Sequence, residues 1–260
     1  MDHKAPAGRD TFVEAFAKGL TVMRAFEGAT RSLSLSEVAE RSKLPRAGAR
    51  RLLHTLVSLG YASHQEGRFA LTPRVLDLGH AYLSSLSFRE LAQPVLDELA
   101  GEPGVVCALT VLDGTDVVYV ARAEGRSPLE RGIGLGSRLP AFATSMGRVL
   151  LAALSEDQAL SLIDESDKQA FTFETITSPV ELMTELRRIR QQGYSVVAEE
   201  LEMGVVGVAM PIVDSSGATV AAINMSTNLR RQTVEEIVAR FLPRLREGVQ
   251  RIATAFHGRT

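Results

Sequence analysis

Ser34–Leu59 reads SLSEVAERSKLPRAGARRLLHTLVSL. Two short helices with a tight break at Ser42-Lys43-Leu44-Pro45 account for this pattern. Ser34 or Ser36 can cap the first helix, and Glu37, three residues after Ser34, completes a capping-box spacing. Pro45 suits the first position of the second helix, where its missing N–H costs nothing. Gly60 suits the position just beyond its end. At about 100° per residue, Ala49, Leu52, Leu53 and Leu56 share one side of the second helix, and Arg46, Arg50, Arg51 and His54 take the other. Arg41, Lys43, Arg46, Arg50 and Arg51 follow one another with no acidic residue between them. The apolar side docks such a helix on a small domain and leaves the basic side for a polyanion, as the recognition helix of a helix-turn-helix requires. The competing reading is an ordinary amphipathic pair with a solvated basic face, and the flanking sequence bears on the choice.

Tyr61–Leu71 (YASHQEGRFAL) reads as a hairpin turning at Gly67, the place of a wing. Arg68, near its tip, is either a phosphate or minor-groove contact or a solvated surface residue. Upstream, Thr11–Phe26 follows a helical period with Phe12, Phe16, Leu20 and Met23 on one stripe, expected to pack into the core, and Met1–Asp10 is expected to be disordered. Downstream, Thr72-Pro73 starts a further helix with Thr72 as its cap. Val75–Leu86 is unusually apolar for such a helix, and another follows over Phe88–Ala100. Excess apolar surface between two domains points to a second copy of the chain as its cover.

From Val105 the period changes to that of strands. Val105–Leu112 and Val117–Arg122 flank Asp113-Gly114-Thr115-Asp116, a hairpin signal, and Leu129–Ile133 is a candidate third strand. Helices are expected at Thr144–Ala153, Ser155–Asp164 and Pro179–Gln192. Strands return at Tyr194–Glu199, Val205–Val213 and Thr219–Ser226, and a helix from Thr233 to Phe256 closes the chain. Hairpin, helices, hairpin and helix describe an α+β domain, an antiparallel sheet flanked by helices.

Composition agrees with two domains of different purpose. The 260 residues are 45% hydrophobic and 23% charged, as in a soluble globular protein. No apolar run approaches the roughly 20 residues that span a bilayer, and the N-terminus lacks the apolar segment of a secretory signal, so no membrane association and a cytoplasmic location are expected. Cys107, the single cysteine, forbids an intrachain disulfide and a Cys-rich zinc site and is read as core. Residues 1–72 carry 11 Lys and Arg against 7 Asp and Glu, a charge of +4, and the remainder carries −6. A basic small unit joined to an acidic larger one suits a DNA-binding domain attached to a sensor.

In this order the segments resemble the isocitrate-lyase-regulator (IclR) family of bacterial transcription factors. The resemblance rests on LSEVAERSKLPRAGARRLLHTLVSLGY (Leu35–Tyr61), LTPRVLDLGHAYL (Leu71–Leu83), LPAFATSMGRVLLA (Leu139–Ala152) and VVGVAMPIVDSSGATVAAINMS (Val205–Ser226). The first two, with FVEAFAKGLTVMRAF (Phe12–Phe26), are most similar to the branch that senses protocatechuate, 4-hydroxybenzoate and related β-ketoadipate-pathway acids. The resemblance implies a winged helix-turn-helix over residues 11–72, a dimerising linker helix over 73–87 and a GAF-like effector domain over 88–258. It also implies a dimer or dimer of dimers on a double-stranded DNA operator, controlled by a small organic acid. DNA contacts are expected from Ser36, Lys43, Arg46, Arg50, Arg51, His54 and Arg68.

The ligand seat is expected at Leu139–Leu151. Thr144 or Ser145 caps a helix whose first N–H groups, at Ser145, Met146 and Gly147, face outward with the positive end of the helix dipole, a natural seat for a carboxylate. The family resemblance puts its pocket at this segment, Leu139 included, and its facing wall at Gly207, Ala209, Asn224 and Ser226. Asn224 and Ser226 are two apart and share a sheet face, where phenolic hydroxyls can partner them. Arg122 and Arg131 are candidate carboxylate partners, whereas Glu199, Glu200 and Glu202 rank low because they repel an anion. A short-chain keto acid is the alternative ligand. An enzyme is the alternative class, since Ala143-Thr-Ser145-Met-Gly147 nearly matches a nucleophile elbow. That elbow needs a strand directly before Ser145, which Pro140 opposes, and a downstream base, for which only His257 is available. No metal-ligand or nucleotide-phosphate spacing is present, so no catalysis, metal or cofactor is expected.

Overall fold

The first elements of the computed structural model are α1 (Glu14–Arg24), β1 (Leu33–Ser34), α2 (Leu35–Ser42), α3 (Arg46–Ser58), β2 (Ala62–Gln65), β3 (Arg68–Leu71) and α4 (Val75–Ser85). The structure describes residues 12–28, 32–125, 133–229 and 232–257. The expectations for Met1–Asp10, for residues 129–132 and for Arg131 lie outside these residues. The chain divides into two compact units, Met1–Ser85 and Leu86–Thr260.

In the first unit the capping box forms as its spacing predicts. The Glu37 N–H donates to the Ser34 hydroxyl at 3.3 Å, and the Ser34 N–H donates to the Glu37 carboxylate at 2.6 Å. The Ser34 backbone N–H, then the Ser34 side chain, hold the Glu37 carboxyl below its ordinary value, with a smaller contribution from Arg68. Lys43 makes the break, with a left-handed φ of 54°. Pro45 is the N-cap of α3 with an extended ψ, so the helix begins one residue later than its sequence suggests, at Arg46. Gly60 ends α3 at φ 80°: its N–H reaches Val57 O at 3.0 Å, and Tyr61 N–H reaches Leu56 O at 2.8 Å, a Schellman closure.

α3 buries Ala49, Leu53 and Leu56, and Leu52 is half-buried. Leu52, Leu53 and Leu56 meet Val22, Phe26, Val38 and Phe69 in one core. The α1 stripe behaves differently from its expectation. Phe12, Phe16 and Leu20 are exposed, by 48%, 69% and 43%, and Val22 is the buried residue of the helix. Val22 lies about 200° around the helix from Leu20, so α1 turns its other side to α2 and α3. β2 and β3 form the expected hairpin through Glu66 and Gly67, both at positive φ, and β1 adds a third antiparallel strand beside β3. Thr72 does not cap a helix: its hydroxyl donates to Gly60 O at 2.5 Å, and α4 begins at Val75. No residue of α4 is buried, and Leu76, Leu78 and Tyr82 are at least half exposed.

The second unit contains α5 (Ser87–Leu99), β4 (Val106–Asp113), β5 (Asp116–Glu124), β6 (Arg138–Pro140), α6 (Ser145–Ala152), α7 (Glu156–Glu165), α8 (Pro179–Gln192), β7 (Ser195–Ala198), β8 (Val205–Val213), β9 (Thr219–Asn228) and α9 (Val234–His257). The six strands form one sheet in the order β6-β5-β4-β9-β8-β7, antiparallel throughout. The strand beside β5 is β6, and it ends at Pro140, so no strand runs directly into Ser145. An edge strand tolerates the missing N–H. Ala108, Ala209 and Ala222 face α6 and α8, and these small side chains let α6 approach the centre of the sheet. Residues one position along each strand, including Leu109, Ile223 and Met225, point to the opposite face, where α5 and α9 pack. A bulge at Leu109/Thr110 shifts the register, pairs Thr110 with Tyr119 and puts both on the α6 side.

Candidate functional site

α3 presents its basic side as an open groove lined by Arg46, Arg50, Arg51 and His54. All four are exposed, as are Lys43 and Ser36 at the two ends of α2. Among the described residues, Lys43, Arg46, Arg50 and Arg51 have no ion-pair partner. The His54 ring meets His64 and Phe69 edge-on, each at 5.9 Å between centroids, and His64 stacks on Phe69 at 4.2 Å. The helix and the wing are therefore joined through aromatic contact beside the groove. Arg68 is turned to a different task from the DNA contact expected of it. Its Nε donates to Ser32 Oγ at 3.0 Å, and its Nη2 reaches Ser32 O at 2.8 Å and the Glu37 carboxylate at 3.3 Å. It ties the wing to the start of α2.

The second site is a cavity of roughly 70 Å³ at the N-terminus of α6. A single 3-10 turn, Ala141–Ala143, carries the chain from β6 into Thr144, whose hydroxyl accepts the Gly147 N–H at 3.1 Å. The N–H groups of Ser145 and Met146 have no helical partner at these positions. Leu139, Thr144, Ser145, Met146, Gly207, Asn224 and Ser226 all line this cavity. Sequence separations of up to 87 residues, from Leu139 to Ser226, close here because β8 and β9 lie under α6. A Cβ on Gly207 would stand 2.9 Å from Ser145 Oγ, so the glycine lets that hydroxyl approach the strand. Asn224 is 4% exposed, and its Oδ1 has no hydrogen-bond partner among the described residues.

Three expected ligand residues stand elsewhere. Gly147 uses its N–H on Thr144, and a Cβ on it would fall 2.2 Å from Ala141 O, so it serves the close fold-back of α6 on the 3-10 turn. Ala209 is wholly buried beside Asn224 in the sheet register. Arg122 shares the sheet face but gives its guanidinium to Glu124, at 2.6 Å, and to the Ile133 carbonyl. Conversely, the cavity contains residues that the sequence alone passes over or ranks low: Tyr119, Glu200 and Glu202. Glu200 is buried, and its carboxylate takes Arg148 Nη1 at 2.7 Å and Nη2 at 2.5 Å. A signal exists in the lone Arg148 of apolar α6, since a charge on such a helix must find a partner.

Ser145 is the first residue of α6, preceded by the 3-10 turn and a capping Thr144, so the strand-to-helix elbow of a hydrolase does not form. No described helix is long and apolar enough to cross a membrane.

Family comparisons meet this geometry at both sites. Residues 15–66 match the IclR helix-turn-helix domain, and residues 80–254 match the bacterial transcriptional regulator IclR C-terminal domain. The chain belongs to the IclR family. This IclR-family chain is 40% identical over 244 residues to the Pca regulon regulatory protein of Pseudomonas putida, covering 92% of this chain and 83% of that one. It is 35% identical over 242 residues to the p-hydroxybenzoate hydroxylase transcriptional activator of Acinetobacter baylyi, covering 91% and 89%. A solved structure from Rhodococcus sp. RHA1 superposes with a TM-score of 0.84 at 42% identity, covering 96% of this chain and all of that one. The IclR-family chain is accordingly a DNA-binding transcriptional regulator governed by a small molecule, and not an enzyme.

Proposed function

We propose that the regulator is a cytoplasmic homodimer or dimer of dimers that controls genes of aromatic-acid breakdown in response to an aromatic acid. α3 enters the major groove. Arg46 and Arg50 read base edges, Lys43, Arg51, His54 and Ser36 bind the backbone, and one arginine takes guanine through its two acceptors. Residues 11–72 act as the DNA-binding domain, 73–87 as the linker helix and 88–258 as the effector domain. The exposed apolar stripes of α1 and α4 support pairing of two chains through the first unit.

The observation that carries the effector reading is the cavity itself. Unpaired N–H groups at the α6 terminus stand opposite the buried, unpartnered Asn224 Oδ1, which suits an anion with a hydrogen-bonding group at its far end. The two named relatives regulate the pca genes and p-hydroxybenzoate hydroxylase, which supports a hydroxylated benzoate over other acids. The small cavity volume keeps a short-chain keto acid as the competing ligand.

Fluorescence anisotropy tests both parts. The protein is titrated onto DNA from upstream of its own gene across a salt series, with aromatic and short-chain keto acids as additives. Preference over competitor DNA with steep salt dependence is expected, with a shift caused by an aromatic acid alone. A shift caused only by keto acids moves the effector class. Absence of DNA binding on every fragment tested overturns the operator reading of α3.

A further inference from the structure

Glu200 is an unusual wall for a cavity that receives an acid, and its surroundings resolve the conflict. Arg148 faces it with a bidentate pair, the two side chains being only 1% and 8% exposed. Arg148 Nε donates to Phe142 O at 2.7 Å, which fixes the guanidinium. The Ile176 N–H donates to Glu200 Oε2 at 2.9 Å. The backbone is pinned as well, with Thr172 Oγ1 donating to Glu199 O at 2.7 Å and Thr175 Oγ1 to Glu200 O at 2.5 Å. A carboxylate offers about four acceptor positions, two on each oxygen. Oε2 receives two donors and Oε1 one, so Oε1 keeps one acceptor position.

The cavity therefore has two chemically opposite walls. The α6 terminus supplies donors through Ser145 and Met146. The β7–β8 connection and β9 bring acceptors to its lining: Glu200, whose Oε1 keeps one acceptor position, and Asn224, whose Oδ1 is unpartnered among the described residues. An acid whose far end carries only carbon leaves Asn224 Oδ1 unpaired and the remaining acceptor position of Glu200 Oε1 empty, which is costly in a buried site. A hydroxyl proton satisfies one of them. We propose that Glu200, positioned by Arg148, accepts a hydrogen bond from a ring hydroxyl of the ligand, so that the cavity selects hydroxylated aromatic acids over unsubstituted ones. This rests on the aromatic-acid reading above and adds to it the group that discriminates among such acids. Glu200 is the specificity residue, and Arg148 is a positioning residue that neutralises it without touching the ligand.

Isothermal titration of the full chain with benzoate, 4-fluorobenzoate, 3-hydroxybenzoate, 4-hydroxybenzoate and 3,4-dihydroxybenzoate tests this. Fluorine is close to hydroxyl in size and lacks the proton. At least one hydroxylated acid is expected to bind about tenfold or more tightly than benzoate and 4-fluorobenzoate. Equal affinity across the series overturns the proposal and leaves the aromatic-acid reading standing, whereas no binding of any acid overturns both. In Glu200→Gln the preference for hydroxyl should collapse while weak binding of benzoate persists. Because that variant leaves Arg148 buried without its counter-charge, Glu200→Asp is the companion: it keeps the charge but draws the carboxylate back by one methylene, and the preference should fall again. A preference retained in a folded variant of either kind shows that the hydroxyl is read elsewhere.

Discussion

The arginines of the two units live under opposite conditions. Arg46, Arg50 and Arg51 stand exposed on α3 with no ionic partner among the described residues. Arg148 is 1% exposed and gives every donating nitrogen to Glu200 or to Phe142 O. In water an unpaired guanidinium costs nothing and stays available to a polyanion, whereas in the interior it must be answered completely. The first unit keeps its charge for a partner, and the second uses charge to hold the wall of a cavity.

Substitutions can break this contrast. The largest effect is expected from Arg148→Ala, which abandons the buried Glu200 carboxylate and should destabilise the second unit by about 3–5 kcal/mol in urea unfolding. A loss near zero would show that the interior is wet enough to solvate Glu200. Next come Arg46→Ala and Arg50→Ala, each expected to weaken specific operator binding by about 1–3 kcal/mol in anisotropy titrations without altering the unfolding curve. Equal losses of stability and DNA affinity would make these residues structural and erase the distinction. Arg68→Ala belongs with Arg148 in kind but lies half in solvent, so it should cost the first unit less than about 1 kcal/mol while operator affinity stays unchanged. A clear loss of affinity would restore Arg68 as a DNA contact.

The smallest effect at neutral pH concerns Cys107, which lies on the sheet face opposite the cavity. Burial pushes its thiol up to about 12 from an ordinary 9.0. The folded state then keeps its proton longer than the unfolded one. This contribution to stability is complete below pH 9 and is lost as pH rises from there towards 12. Cys107→Ala should flatten that alkaline decline, and the native thiol should resist iodoacetamide at pH 8, as mass spectrometry would read. Rapid alkylation of the folded protein would mean that this face opens to solvent.

Local chemistry makes much of the fold legible in the sequence. The Ser34/Glu37 box, the Gly60 end of α3, the Glu66-Gly67 turn and the Thr144 cap each involve residues within a few positions of one another, and each forms. Family resemblance, rather than spacing, brings segments far apart in the chain to one cavity. What escapes depends on tertiary packing. The stripe of Phe12, Phe16 and Leu20 has the same period whether it faces inward or outward, and only the small core around Val22 decides. Arg148 and Glu200 are 52 residues apart, and no local pattern announces their pairing. Tyr119 reaches the cavity side through a bulge that alternation along β5 does not reveal. Gly147 is expected to offer its N–H to a ligand, yet that N–H goes to Thr144, and the group that comes close to the glycine is the chain's own Ala141 carbonyl.

The missing side chain at Gly207 also bears on how such a sensor changes over generations. A Cβ there would stand 2.9 Å from the Ser145 hydroxyl, in a strand paired on both sides. Under the proposed function, a single codon in β8 alters the cavity without altering the sequence of the basic helix, so an ancestral operator and a new inducer can be inherited together.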